Sequence, residues 1–233
     1  MIINILENIS AFQNLIYIAA SILFITGIKM LGKEDTAVKG NLLSALAMFI
    51  AVLITFLDPD VQVNPYLILA GIGVGAIVGS LIALKVKMTS IPEMVALFNG
   101  FGGLATFFIA WSEFNSVPEN TFQYVLIMLT TYIGGVTFSG SIVAYGKLSE
   151  KLKIQKTSII TKLFTTVFYV SLLFLLYTIL ITPTLIPNFE FFTVLLVLTL
   201  LGGIGFVIPI GGGDMPVVIS LLNSFSGIAA AFA

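Results

Sequence analysis

The sequence predicts an all-α fold, a polytopic membrane helical bundle of about eight transmembrane helices with its N-terminus outside. Two observations carry that reading. The 233 residues are 58% apolar and only 9% charged, with a mean hydropathy of +1.13, whereas soluble domains run near a quarter charged. The ten lysines also fall only in alternate gaps between apolar stretches. Lys29, Lys33 and Lys39 occupy the first gap, Lys85 and Lys87 the third, and Lys147, Lys151, Lys153, Lys156 and Lys162 the fifth. The gaps between hold acids instead: Asp58 and Asp60, Glu113 and Glu119, and Glu190. Positive charge near span ends is retained on the cytoplasmic side, so the lysine-bearing gaps are expected inside.

A helix needs about 20 apolar residues to cross the ~30 Å hydrocarbon layer. Eight stretches qualify: 11–30, 40–57, 65–84, 94–111, 121–146, 162–182, 190–208 and 215–233. Backbone in lipid must satisfy its own hydrogen bonds, so these are helices. The intervening Asp58-Pro59-Asp60, Asn64-Pro65, Val117-Pro118 and the stretch from Pro183 to Pro187 are turn chemistry. The first ten residues carry Glu7 and no lysine, unlike the positive leader of a signal peptide, so the first stretch reads as a true span. Eight crossings return Ala233 to the outside. The chain stops on the apolar Gly227–Ala233 without a polar flank, and it reads as a segment cut near the end of its eighth helix.

Composition also excludes functions. A net charge of −1 offers nothing to nucleic acid, and without cysteine there is no disulfide, thiolate metal site or thiol nucleophile. Without histidine, the commonest metal ligand and proton shuttle is absent. No metal site is expected. Gly71, Gly73, Gly75 and Gly79 of the third span lack the register of a dinucleotide fingerprint and sit inside a span rather than at a strand–helix turn. Their fourfold spacing suits close helix packing.

Few polar groups interrupt the spans. Asn99 lies about 8–10 Å into the fourth, counted from Glu93 at 1.5 Å per residue. It serves either as interhelical glue, worth about 0.6 kcal/mol, or in ion passage by holding a water or a neighbouring side chain. Thr137, Ser139 and Ser141 lie in the fifth span, Thr137 and Ser141 on one face. They are possible pore-lining groups, although hydroxyls in spans often bond back to their own helix. Asp214 follows Gly211-Gly212-Gly213 and precedes Met215-Pro216 at the mouth of the last span. It suits a helix N-cap, and an ionisable group on a flexible membrane-boundary hinge also suits an ion pathway or switch. Asn223, nine residues on, projects from the opposite face of an ideal helix, so the two do not form one site by themselves. The lysine-rich 147–162 gap suits anionic lipid, at about 1 kcal/mol per lysine, or a soluble partner domain.

Three segments resemble signatures of one family. They are Ile91–Gly103 (IPEMVALFNGFGG), Gly135–Ser141 (GVTFSGS) running on to Ala144–Leu148 (AYGKL), and Gly211–Gly227 (GGGDMPVVISLLNSFSG). In order and spacing the chain is similar to the beta subunit of the Re/Si-specific proton-translocating NAD(P)+ transhydrogenases. The resemblance implies that 1–233 is a proton-conducting transmembrane domain of an enzyme moving hydride from NADH to NADP+. NAD(H) and NADP(H) would bind on soluble domains, with no cofactor in this segment. One further helix and a cytoplasmic NADP(H)-binding domain would follow. Implied partners are alpha subunits, the beta-subunit NADP(H) domain, a second copy of the complex, lipid and protons, in a bacterial plasma (inner) membrane. By position Asp214 matches the aspartate implicated in coupling protons to the NADP(H) domain, and Asn223 a polar residue tied to the proton path. Asn99 stands where many members carry a histidine proposed as proton carrier. In some branches that histidine lies on an alpha-subunit helix, and Asn99 would then line a water path whose titrating group comes from the neighbour. A stand-alone secondary transporter and a structural scaffold subunit are the alternatives; no inverted repeat relates the two halves.

Overall fold

The computed structural model describes residues 2–57, 64–116, 118, 120–153, 158–181 and 189–232, with side chains from Ala11 to Ala231 apart from Ile181. Among the described residues the secondary structure is helical: α1 (Ile2–Leu31), α2 (Ala37–Phe56), α3 (Pro65–Lys85), α4 (Ile91–Asn115), α5 (Thr121–Leu148), α6 (Ile159–Ile181), α7 (Phe189–Val207) and α8 (Met215–Phe232). Short 3-10 turns at Met88–Ser90 and Gly212–Asp214 precede α4 and α8. All eight helices contain a stretch long and apolar enough to cross a membrane. The all-α polytopic bundle read from the sequence is thus the observed architecture. The turns expected at 58–60 and 183–187 lie outside the described residues.

Helix ends follow local chemistry. Asn64 Oδ1 accepts from the Tyr66 N–H at 3.0 Å at the start of α3, and Asn120 Oδ1 caps α5 by accepting from Gln123 N at 2.9 Å. α4 is longer than the apolar stretch 94–111, because Pro92 is tolerated in the first turn and Glu93 suits the positive end of the helix dipole.

The chain divides into two compact units, Met1–Leu81 and Ile82–Ala233. In the first, α1 and α2 form a packed hairpin. The hydroxyls of Tyr17 and Thr55 share a hydrogen bond of 2.9 Å, and Gly27 meets Gly40 so closely that a Cβ on Gly40 would approach Met30 Cβ to 2.8 Å. α3 has no buried residue. A Cβ on Gly71, Gly73, Gly75 or Gly79 would meet nothing within 4 Å, so the glycine stripe that suggested close packing is open among the described residues.

In the second unit α5 is the hub. Its buried residues include Met128, Thr131, Thr137, Ser141 and Ala144, on several sides of the helix, and its neighbours are α4, α6, α7 and α8. Small side chains make this possible. A Cβ on Gly103 of α4 would lie 2.8 Å from Thr137 Cγ2 and 2.9 Å from Phe138 N, and one on Gly134 would lie 2.8 Å from Phe107 N. The α4–α5 crossing therefore brings backbone almost against backbone. Phe114 and Phe192 close the far end, stacked at 3.8 Å between centroids and 3° between planes.

The packing predicts a contrast. Gly134→Ala forces α5 off the Phe107 backbone and should lower stability by about 1–3 kcal/mol, whereas Gly75→Ala should change it by less than about 0.5 kcal/mol. Thermal unfolding of the two variants in detergent checks this, and equal losses would refute it.

Candidate functional site

Asn99 and Asn223 line one open groove between α4 and α8, of about 670 Å³, together with Pro92, Val95, Gly102, Pro216, Ile219, Ser220 and Ser226. The two helices bring the amides together because they carry the same pattern at the same distance from their starts. After its 3-10 turn each begins apolar-Pro, and the asparagine follows the proline by seven residues. Ile91-Pro92-Glu93-Met94-Val95-Ala96-Leu97-Phe98-Asn99-Gly100-Phe101-Gly102-Gly103 aligns with Met215-Pro216-Val217-Val218-Ile219-Ser220-Leu221-Leu222-Asn223-Ser224-Phe225-Ser226-Gly227. Pro, Leu, Asn, Phe and the last Gly coincide. Four aligned pairs line the groove, 92 with 216, 95 with 219, 99 with 223 and 102 with 226. At 1.5 Å per residue each amide stands about 12 Å from the start of its helix.

The two amides differ in partners. Asn99, half-buried, donates from Nδ2 to Ser141 Oγ on α5 at 2.9 Å. Gly100 permits this approach, because a Cβ there would already lie 3.1 Å from Ser141 Cβ. Asn223 is exposed, and among the described residues its side chain makes no hydrogen bond. Ser226 bonds back to the Leu222 carbonyl at 3.0 Å.

The remaining hydroxyls lie elsewhere. Ser139 is buried and donates to the Gly135 carbonyl of its own helix at 3.0 Å. Thr137 is fully buried against Gly103 and borders a separate apolar pocket of about 260 Å³ with Tyr132, Val136, Phe168, Leu172, Phe206 and Phe225. Among the described residues its Oγ1 and that of Thr131 have no hydrogen-bond partner. Neither Thr137 nor Ser139 borders the groove between α4 and α8; Ser141 reaches it through Asn99.

Asp214 stands apart from the groove, as its helical phase relative to Asn223 requires. It ends the Gly212–Asp214 turn, exposed, with its N–H bonded to the Gly211 carbonyl at 3.1 Å. Among the described residues its carboxylate accepts no hydrogen bond, so the side-chain cap expected of an aspartate before α8 is not made. Gly211 is extended (φ −71°, ψ 155°), and a Cβ on Gly212 or Gly213 would meet nothing within 4 Å. The upstream end of this hinge is held firmly. Pro209 prevents α7 from continuing past Val207, and the Lys147 ammonium, in the last turn of α5, donates to the carbonyls of Val207 (3.2 Å), Ile208 and Ile210.

A family model described as NAD(P) transhydrogenase beta subunit matches residues 13–233. This chain belongs to the NAD(P) transhydrogenase beta subunit family. Two curated proteins of Rhodospirillum rubrum, both named NAD(P) transhydrogenase subunit beta, are 35% identical to it over 225 residues, 92% of this chain and 47% of theirs. The chain spans about half the length of the curated relatives it matches. With its eight apolar helices, this beta-subunit segment is a multi-pass membrane protein.

Hydrogen bonding separates the two amides energetically. A double-mutant cycle of Asn99→Ala with Ser141→Ala should show a coupling of about 0.6 kcal/mol, the scale of a hydrogen bond between membrane helices, while the cycle of Asn223→Ala with Ser141→Ala should show none. Thermal stability in detergent reads both, and coupling at the second pair alone would overturn the assignment.

Proposed function

We propose that this chain is the proton-conducting membrane part of a Re/Si-specific NAD(P)+ transhydrogenase, coupling proton passage to hydride transfer from NADH to NADP+. The observation that carries it is the groove where Asn99 and Asn223 converge at matched positions, the latter on a helix that starts from a glycine hinge whose carboxylate accepts no hydrogen bond among the described residues. Asparagine does not titrate, but its amide orients water and accepts or donates hydrogen bonds along a wet path. A carboxylate binds and releases a proton, and Asp214 stands where that event meets a flexible segment. Protonation near Asn99 and Asp214 biases the Gly211–Gly213 hinge between two states, and the hinge passes the change to a docked nucleotide domain.

On this reading the lysine-bearing ends face the cytoplasm and the N-terminus lies outside, in a bacterial plasma membrane. Residues 1–233 form one proton-conducting domain within a homodimeric complex that includes alpha subunits and a beta-subunit NADP(H) domain. A titrating group on a neighbouring alpha-subunit helix supplies what the histidine-free groove lacks. This segment does not fit a dinucleotide itself. Its glycine cluster Gly71–Gly75 lies inside α3, without the strand-to-helix turn that brings backbone amides to a pyrophosphate. The nucleotides and the hydride step therefore belong to soluble domains.

Asp214→Asn in the complete enzyme tests the reading. Proton-coupled turnover in sealed vesicles should fall at least about tenfold, while thermal stability stays within about 0.5 kcal/mol because no side-chain bond is lost. Unchanged proton-coupled turnover would leave Asp214 a surface residue of α8 and remove it from the mechanism.

A further inference from the structure

We propose that Lys147 is the positioning residue of the hinge, the anchor against which Gly211–Gly213 flexes; its part in coupling rests on the transhydrogenase reading above. A lysine in the 147–162 gap reads as a solvated charge that faces lipid headgroups or a partner. Lys147 is instead half-buried in the last turn of α5 and directs its ammonium to the end of α7, where it donates to the carbonyls of Val207, Ile208 and Ile210. An ammonium has three donors. These carbonyls have no i+4 donor because α7 ends at Val207, where Pro209 blocks its continuation; that of Val207 also accepts from the Ile210 N–H at 3.1 Å. Positive charge at this place also meets the negative end of the α7 dipole.

The mechanical consequence follows from what surrounds the next residues. Downstream of Ile210, Gly212 and Gly213 have open space about them, and the chain is next fixed at Met215, which is fully buried at the start of α8. Lys147 therefore fixes one end of a short segment, Gly211 extended and then the Gly212–Asp214 3-10 turn, whose other end carries the first turn of α8. With the anchor in place, a change at Asp214 or along α8 is taken up at the glycines. Without it, the change is lost in movement of the 207–210 carbonyls and does not pass on in a defined direction. α5 also supplies Ser141 to Asn99, so one helix holds both the groove amide and the hinge.

The test uses the complete enzyme in membrane vesicles with Lys147→Met, which keeps the length of the side chain and removes its donors, and Lys147→Arg, which restores them. Hydrogen exchange at Ile210–Met215 should accelerate at least about tenfold in Lys147→Met and return to within about threefold in Lys147→Arg, with exchange in α4 and the middle of α5 unchanged. The stimulation of NADH-to-NADP+ hydride transfer by a proton gradient should fall towards none in Lys147→Met and recover at least half in Lys147→Arg. Unchanged exchange at the hinge would overturn the anchor, and acceleration throughout the second unit would make Lys147 a general stability residue instead. Faster hinge exchange with full gradient stimulation would overturn its role in coupling. Exchange is read without any turnover, so a failure of the transhydrogenase reading leaves the anchor separately decided.

Discussion

Close backbone approach around α5 is the constraint on which the second unit depends. Lipid is as apolar as leucine, so helices in a membrane gain little from burying hydrophobic surface against each other. They associate through dispersion contacts and interhelical hydrogen bonds, and both need short distances. Gly103, Gly134 and Gly140 supply those distances by giving up their side chains where α4, α7 and α8 cross α5. Once the backbones are this near, a side chain as short as asparagine reaches across, and Asn99 meets Ser141. The Asn99–Ser141 pair beside the groove is thus a product of the packing: a larger residue at Gly100 would separate the two before any question of chemistry arose.

Much of this was legible in the sequence, and the limits have physical causes. Eight spans could be read because hydropathy and the lysine alternation act on each segment independently of its neighbours. The opposite placement of Asp214 and Asn223 was equally available, since it depends only on the 100° turn per residue within one helix. The convergence of Asn99 and Asn223 was not, because helix-to-helix proximity is a tertiary fact. A signal did exist. The shared Pro-then-Asn spacing of IPEMVALFNGFGG and MPVVISLLNSFSG is a direct repeat, whereas a search for inverted repeats between halves passes over it. Spacing alone does not name a partner for α3, where Gly71, Gly75 and Gly79 resemble a packing motif and meet no neighbour within 4 Å among the described residues. Small-residue spacing states that a close approach is permitted, and it does not state that a helix is there to make it.

Lys147 shows a similar ambiguity in charge. Counted along the chain it is one of five lysines in a hydrophilic gap, and a gap of net positive charge reads as a surface for lipid or a partner. In three dimensions it belongs to the last turn of α5 and to the carbonyls of Val207, Ile208 and Ile210 where α7 ends. The sequence held part of the signal too, because a proline at 209 stops the helix and leaves the carbonyls that follow outside its ladder. What was missing was the crossing of α5 and α7, which is set by close contacts at Gly135 and Gly140 on α5 and Gly203 on α7.

Asparagine on a helix facing hydrocarbon is costly unless its amide finds a partner, because lipid offers neither donor nor acceptor. Asn99 has Ser141. Asn223, on the matching face of α8, has none among the described residues, and Ser220 stands exposed beside it. The same sequence pattern therefore appears once satisfied and once open. A scaffold would favour leucine at the open position, since an apolar side chain loses nothing to lipid and adds contact. Water along the groove satisfies the amide, and so does a polar group from a neighbouring helix closing over it. Either requires that the face between α4 and α8 be kept from bulk lipid in the assembled protein. That requirement agrees with a proton path between them, since protons move along hydrogen-bonded groups and not through hydrocarbon.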